Sequence, residues 1–281
     1  MTTDPLIATF TRAQAELLEC LLGEAAGPAP GGPCRPERVD IRRAAAGGCT
    51  LAFIHGAGGG TLFLHQLARH LPPNLGLVGI NAGFAEDGTR SVLQDAEALI
   101  DRYVDAVCAG GQPGAPLHIG GYSSGGVIAL EVARRIEARG DRVASLTLID
   151  PARLPVPEIR QDTRLPKESL ARRFEIARLA GITPLSSLYP TVARVQQAIA
   201  TIAAIVRADA VMAPIHLLRA TQGPEALPAS EIARWAARTS SGMRVSEVAA
   251  DHASIIAEPA IANVGAAIVN WLVNSLPLET V

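Results

Sequence analysis

The sequence predicts an α/β protein, a mostly parallel sheet with helices on both faces. Three observations carry that expectation. Short apolar, strand-like runs alternate with helical ones along most of the chain. Turn residues punctuate the junctions. The 281 residues, 48% hydrophobic with 26 glycines and 20 prolines, suit a packed domain with many tight turns rather than a disordered chain.

Taken in order, residues 6–26 place Ile7, Phe10, Leu17, Leu18, Leu21 and Leu22 at roughly helical spacing, and GPAPGGPCRP follows as a stiff linker. Residues 1–38 are thus expected to form an N-terminal helix and a Pro/Gly-rich linker, with the main domain over 39–281. The helix's apolar stripe packs on the parent domain or docks to a partner helix. Strand then helix are read in TLAFIH and TLFLHQLARHL, in LGLVGIN and SVLQDAEALIDRYVDAV, and in PLHIGG and GVIALEVARRIEAR. RVASLTLID, APIHLLRA and MRVSEVAA complete the strands. Between Asp150 and Ala213 the alternation stops. Leu170, Phe174 and Ala177, then Val192, Val195, Ile199, Ile202 and Val206, recur every three or four residues, which predicts an inserted helical lid over about 152–211. An insertion after a strand lies over the strand ends, where sites of parallel sheets sit.

Composition excludes several function classes. A formal charge of −2, without a basic stripe interleaved with aromatics, argues against a nucleic-acid partner. Cys20, Cys34, Cys49 and Cys108 are far apart with no CxxC pair, so no metal site or disulfide framework is expected. The start MTTDPLIATF lacks a basic leader, and no apolar run approaches the roughly 18 residues of a membrane span. A soluble, cytoplasmic protein is expected.

The chemistry-bearing stretch is LHIGGYSSGG. Gly121-Tyr122-Ser123-Ser124-Gly125 is a GxSxG pattern between a strand and a helix, the context of a nucleophile elbow. At so sharp a turn the positions two residues either side of the nucleophile must lack a Cβ, which Gly121 and Gly125 satisfy for Ser123. For Ser124 the same positions are Tyr122 and Gly126, so Ser123 is the better nucleophile. Ser124 is better placed to offer its backbone N–H as an oxyanion donor at the helix N-terminus.

A serine nucleophile needs a base and an orienting acid, in the chain order Ser, Asp, His for this architecture. Asp150 ends the strand ASLTLID, and His252 follows the last strand in VAADHAS. Glu225, in the loop after APIHLLRA, is the competing acid. His65, His70, His118 and His216 fall inside helices or strands and read as structural. His55 opens HGAGGG at the end of the first core strand, where it can shape an oxyanion loop; chain order argues against it as base. That loop lacks the Lys-Ser/Thr of a P-loop, and Thr61 stands where a dinucleotide fingerprint needs glycine, so no nucleotide or other cofactor is expected. By position Ala57 supplies the second oxyanion N–H.

FIHGAGGGTLFLHQLARHL, GGYSSGG, LTLIDPA and ADHASIIAEPAIANVGAAIVNWL together resemble the thioesterase domains that end polyketide and nonribosomal peptide assembly lines, over about Thr50 to Leu272. The resemblance implies an α/β-hydrolase fold, Ser123 as acyl-accepting nucleophile, His252 as base, Asp150 as its acid, and Ala57 and Ser124 as oxyanion donors. It also implies an acyl or peptidyl carrier protein bearing phosphopantetheine as partner, and an acyl thioester as substrate. Chain-releasing domains place the acid where Asp150 stands, whereas editing thioesterases usually place it after a later strand. Release by hydrolysis or cyclisation is therefore the leading expectation, with an editing thioesterase, a carboxylesterase and a noncatalytic binding protein as rivals. From Arg153 to Arg178 seven basic residues face four acidic ones, a surface for an acidic carrier or simply a solvated helix face.

Overall fold

A computed structural model describes residues 34–57, 59–84, 96–110, 116–155, 202, 205–207 and 209–275. Seven strands form one sheet: β1 (Cys34–Arg42), β2 (Cys49–Ile54), β3 (Leu75–Phe84), β4 (Leu117–Tyr122), β5 (Val143–Ile149), β6 (Ile215–Ala220) and β7 (Met243–Val248). Their spatial order is β1-β3-β2-β4-β5-β6-β7. Every pairing is parallel except β1 with β3. The α/β expectation therefore holds. Most of the lid, the N-terminal helix and the basic stretch beyond Pro155 lie outside the described residues.

Among the described residues the helices are α1 (Leu64–Leu67, continued as a 3-10 turn over Ala68–His70), α2 (Ala96–Cys108), α3 (Ser124–Ala138), α4 (Ala229–Ala236) and α5 (Ala260–Ser275). The alternating pleat divides the core. On one face Ala52 and Ile54 pack with Leu99, Ile100, Tyr103 and Val104 of α2 and with the apolar residues of α3. On the other, Leu51 and Phe53 pack with Leu64 and Leu67 of α1 and with Ile261, Val264 and Ile268 of α5. Spacings of three and four along α2 and α5 put those side chains on one stripe each. Leu154 and Ile202, near the two ends of the insertion, are both buried in the first of these clusters.

β1 is absent from the sequence-based set of strands, and it starts inside the stretch taken as linker, ahead of residue 38. Pro36 disguises it. A proline is tolerated there because β1 is an edge strand, with one side free of ladder bonds. α4 was also not foreseen; its eight residues are too few for periodicity to stand out.

Chain order makes the site. β2 leads to β3 on one side, and the chain then crosses back over β2 to β4 on the other. The carboxyl ends of β2 and β4 therefore flank the switch point at which parallel sheets leave a crevice. Arg42, at the end of β1, secures the first crossover: its guanidinium donates to the carbonyls of Ala68, Leu71, Pro72 and Leu75 at 2.5–3.2 Å. No neutral side chain can serve four acceptors in this way. Arg42→Ala is expected to lower unfolding free energy by about 2–4 kcal/mol, read as a drop in the urea midpoint at unchanged slope.

Candidate active site

Ser123 sits alone between β4 and α3 with φ 56° and ψ −127°. Among the described residues it shares positive φ with one other non-glycine, Asp150, at 38°. Such backbone costs of order 1–3 kcal/mol per residue and persists only where surrounding bonds over-determine it. They do here. The Ser123 N–H donates to Ile149 O at 3.1 Å, and its carbonyl accepts from Gly126 N–H at 3.0 Å and Ala152 N–H at 2.9 Å. Asp150 N–H donates to Leu218 O at 2.6 Å.

The glycines around the elbow are bare for reasons of contact. A Cβ on Gly121 would overlap the backbone of Gly125, and one on Gly125 would overlap the carbonyls of His55 and Ile54. Both are backbone collisions, which no rotamer can relieve.

The two strained residues meet through His252. His252 Nδ1 lies 2.6 Å from Asp150 Oδ2, and its Nε2 lies 2.9 Å from Ser123 Oγ. An ionised carboxylate can only accept, so Nδ1 carries the proton and bare Nε2 accepts from the Ser123 hydroxyl. The second Asp150 oxygen accepts the Ala220 N–H at 2.9 Å, so the carboxylate is held from both sides. Asp150 and Ser123 are buried, and the His252 side chain is 11% exposed. Of the two acids left open by the sequence, His252 meets Asp150; Glu225 stays in the loop after β6.

Sequence reasoning missed the residues that hold this line in place. The Tyr122 hydroxyl donates to the His252 carbonyl at 2.7 Å, and its ring stacks on the imidazole at 5.2 Å with 22° between planes. Asp251 Oδ1 accepts the N–H groups of Ala253 and Ser254, both at 3.0 Å, which shapes the turn carrying His252. Tyr122 was visible only as a bulky neighbour of Ser124. Its partner is 130 residues away in the chain, so no local pattern could reveal the contact.

Ala57 lies on the loop after β2 and Ser124 at the first position of α3, directly after Ser123. Among the described residues neither backbone N–H has an acceptor. The Ser124 hydroxyl is buried without a partner. Three other histidines have framework partners: His118 Nδ1 meets Ser145 Oγ at 2.9 Å, His216 Nε2 meets Ser246 Oγ at 2.9 Å, and His70 pairs with Glu258. Among the described residues there is no cluster suited to a metal ion, and no helix is long and apolar enough to cross a membrane.

The family model for the thioesterase domain matches residues 49–268. Among curated proteins, norsolorinic acid synthase of Dothistroma septosporum is 31% identical over 116 residues, 41% of this chain and 4% of that protein. Non-reducing polyketide synthase CTB1 of Cercospora beticola is 37% identical over 98 residues, 35% of this chain and 4% of that protein. Enterobactin synthase component F of Escherichia coli K12 is 32% identical over 103 residues, 37% of this chain and 8% of that protein. The match thus spans only a small part of these synthases. Among solved structures, the Vlm2 thioesterase domain bound with a dodecadepsipeptide superposes with a TM-score of 0.64 at 22% identity, covering 83% of this chain and 97% of that one. The NocB thioesterase domain, in covalent complex with a fluorophosphonate nocardicin G analogue, gives 0.63 at 24% identity, covering 84% and 99%.

Burial pushes the imidazole of His55 down to about 4, against a smaller opposing effect of its bond to Gly56. Burial, with the positive charge of Arg244 added, pushes His216 down to about 4 as well. Both are neutral in the folded protein and take up a proton on unfolding below their ordinary value of 6.5. The unfolded chain binds more protons in that window, so stability is full above about pH 6.5 and falls as the pH drops toward about 4. Urea midpoints taken at half-unit steps through this range should decline steadily, and a flat profile would contradict the buried neutral state.

Proposed function

The chain belongs to the thioesterase domain family, and on that premise we propose that it releases an acyl chain, polyketide or peptide, from the phosphopantetheine thioester of a carrier protein through an acyl-Ser123 intermediate. One observation carries the proposal, the hydrogen-bonded line from Ser123 Oγ through His252 to Asp150. In this reading His252 Nε2 takes the Ser123 proton while Oγ attacks the thioester carbonyl. The carbonyl oxygen becomes an oxyanion facing the N–H groups of Ala57 and Ser124, and the N-terminus of α3 adds favourable potential. The tetrahedral intermediate then collapses. The C–S bond breaks, the phosphopantetheine sulfur leaves with the proton held by His252, and the acyl group remains on Ser123.

Deacylation repeats the sequence with a second nucleophile. Water gives a free acid; a hydroxyl or amine of the chain gives a ring. His252 takes the proton of whichever attacks and returns it to Ser123 Oγ as the ester bond breaks. Asp150 does not become protonated in either half. It holds the Nδ1–H tautomer and stabilises the imidazolium that forms. The position of Asp150 at the tip of β5, rather than of Glu225 after β6, supports chain release over editing of stalled carriers.

Mass spectrometry of the intact protein with acyl thioesters should reveal a serine-linked acyl adduct that Ser123→Ala lacks, with turnover reduced about 10⁶-fold. Failure of the parent to form adduct or product would sink the covalent mechanism. Ser124→Ala keeps the N–H and deletes only an unpartnered hydroxyl, so it should lose no more than a few-fold in kcat. A preference for short acyl thioesters over long ones would move the assignment to an editing enzyme, and a preference for oxygen esters of the same acid to a carboxylesterase.

A further inference from the structure

We infer that His55 and Tyr103 form a positioning pair that fixes the direction of the Ala57 N–H; the inference rests on the proposed role of that N–H as an oxyanion donor. His55 follows β2 directly and is fully buried. Its Nδ1 lies 2.6 Å from the Gly56 carbonyl oxygen, and its Nε2 lies 2.6 Å from the Tyr103 hydroxyl. A carbonyl oxygen cannot donate, so Nδ1 carries the ring proton. Bare Nε2 then accepts from the Tyr103 O–H. Tyr103 is itself fully buried on α2, packed between that helix and the sheet, so the hydroxyl is held from outside the loop.

The consequence follows from peptide planarity. The Gly56 C=O and the Ala57 N–H belong to one trans peptide, so oxygen and hydrogen lie in a single plane and point to opposite sides of the C–N bond. Holding the oxygen therefore aims the hydrogen. The same oxygen accepts the Gly59 N–H at 2.9 Å, and the Gly59 carbonyl accepts the Ala82 N–H at 2.8 Å, which ties the turn to β3. What remains free is rotation about the glycine, the residue least able to resist it. The His55 bond opposes that rotation from the protein interior, alongside the Gly59 N–H on the same oxygen. Gly56 cannot be stiffened by a larger residue, because a Cβ there would come within 2.9 Å of Cδ1 of Tyr122.

A donor aimed at the oxyanion acts on the transition state and little on ground-state binding. The test uses the full chain and an acyl thioester carrying a ¹³C-labelled carbonyl, with His55→Gln, His55→Asn and Tyr103→Phe. Asparagine sets an amide N–H near the place of Nδ1; glutamine sets it near Nε2, away from Gly56. His55→Gln should lose about 10- to 100-fold in kcat with KM nearly unchanged, and the infrared carbonyl stretch of its acyl-Ser123 ester should move to higher frequency. His55→Asn should recover most of kcat and of the stretch, with Tyr103→Phe between the two. If all three variants keep the parent's kcat and stretch, or if Asn and Gln lose activity equally in step with their thermal midpoints, His55 is a packing residue and the inference fails. The parent separates the two readings: no acyl-Ser123 adduct on the unsubstituted protein overturns the proposed function and this inference together, whereas adduct on the parent with no effect in the variants overturns this inference alone.

Discussion

The turn at Ser123 is the constraint on which the rest of the site depends. A chain passing from β4 into α3 through one residue at φ 56° brings the first turn of the helix back against the strand tips. That approach requires Gly121 to clear the backbone of Gly125, and Gly125 to clear the carbonyls that end β2. Two glycines thus set the spacing of three elements. The loop after β2 is held beside the elbow by the same contact, and so is Ala57. Strain of order 1–3 kcal/mol is offset by bonds the elbow makes to β5 and to the segment beyond it. Those bonds reach the residues on either side of Asp150. Ser123 and Asp150 are positioned by one small network, even though they follow different strands.

His252 closes that network from the far side of the sheet. It lies beyond β7, and Asp251 shapes the turn that presents it. Tyr122 then bonds to its carbonyl and stacks on its ring. The residue just before Ser123 therefore steadies His252 as well. Displacing Tyr122 would disturb Gly56, which its ring closely approaches, and His252 together. The loop after β2 and His252 share a support.

Much of this was legible in the sequence, and the remainder has a physical reason for being hidden. Alternation of strand and helix identified the parallel core, because apolar runs bounded by turns are local signals. β1 was not seen, since Pro36 breaks its pattern and edge position alone makes the proline tolerable. Glycine spacing favoured Ser123 over Ser124, and it is Ser123 that His252 meets, but the rule conceals its own cause: Gly125 is bare on account of β2, about 70 residues earlier in the chain. Asp150 could be ranked above Glu225 from its place at a strand tip. The Ala220 N–H that fixes its second oxygen could not, because backbone donors leave no mark on composition. Tyr103 was one apolar position among several on a helical stripe, and only the fold shows its hydroxyl meeting His55.

His55 and His252 show how partners decide what an imidazole does. Each is bonded at both ring nitrogens, each has its proton assigned to Nδ1 by an acceptor-only oxygen, and each has a hydroxyl donating to Nε2. The acceptors differ in charge. A carboxylate beside Nδ1 stabilises the imidazolium that appears when Nε2 takes a proton, so the Ser123 hydroxyl can give its proton up. A neutral carbonyl gives little such compensation, and burial disfavours the charge, which leaves His55 neutral with the Tyr103 hydroxyl a fixed donor. In the proposed mechanism one ring therefore moves a proton, while the other bonds a peptide carbonyl. The fold achieves that division by ending β5 with an aspartate for His252 and by offering His55 only the backbone carbonyl of Gly56.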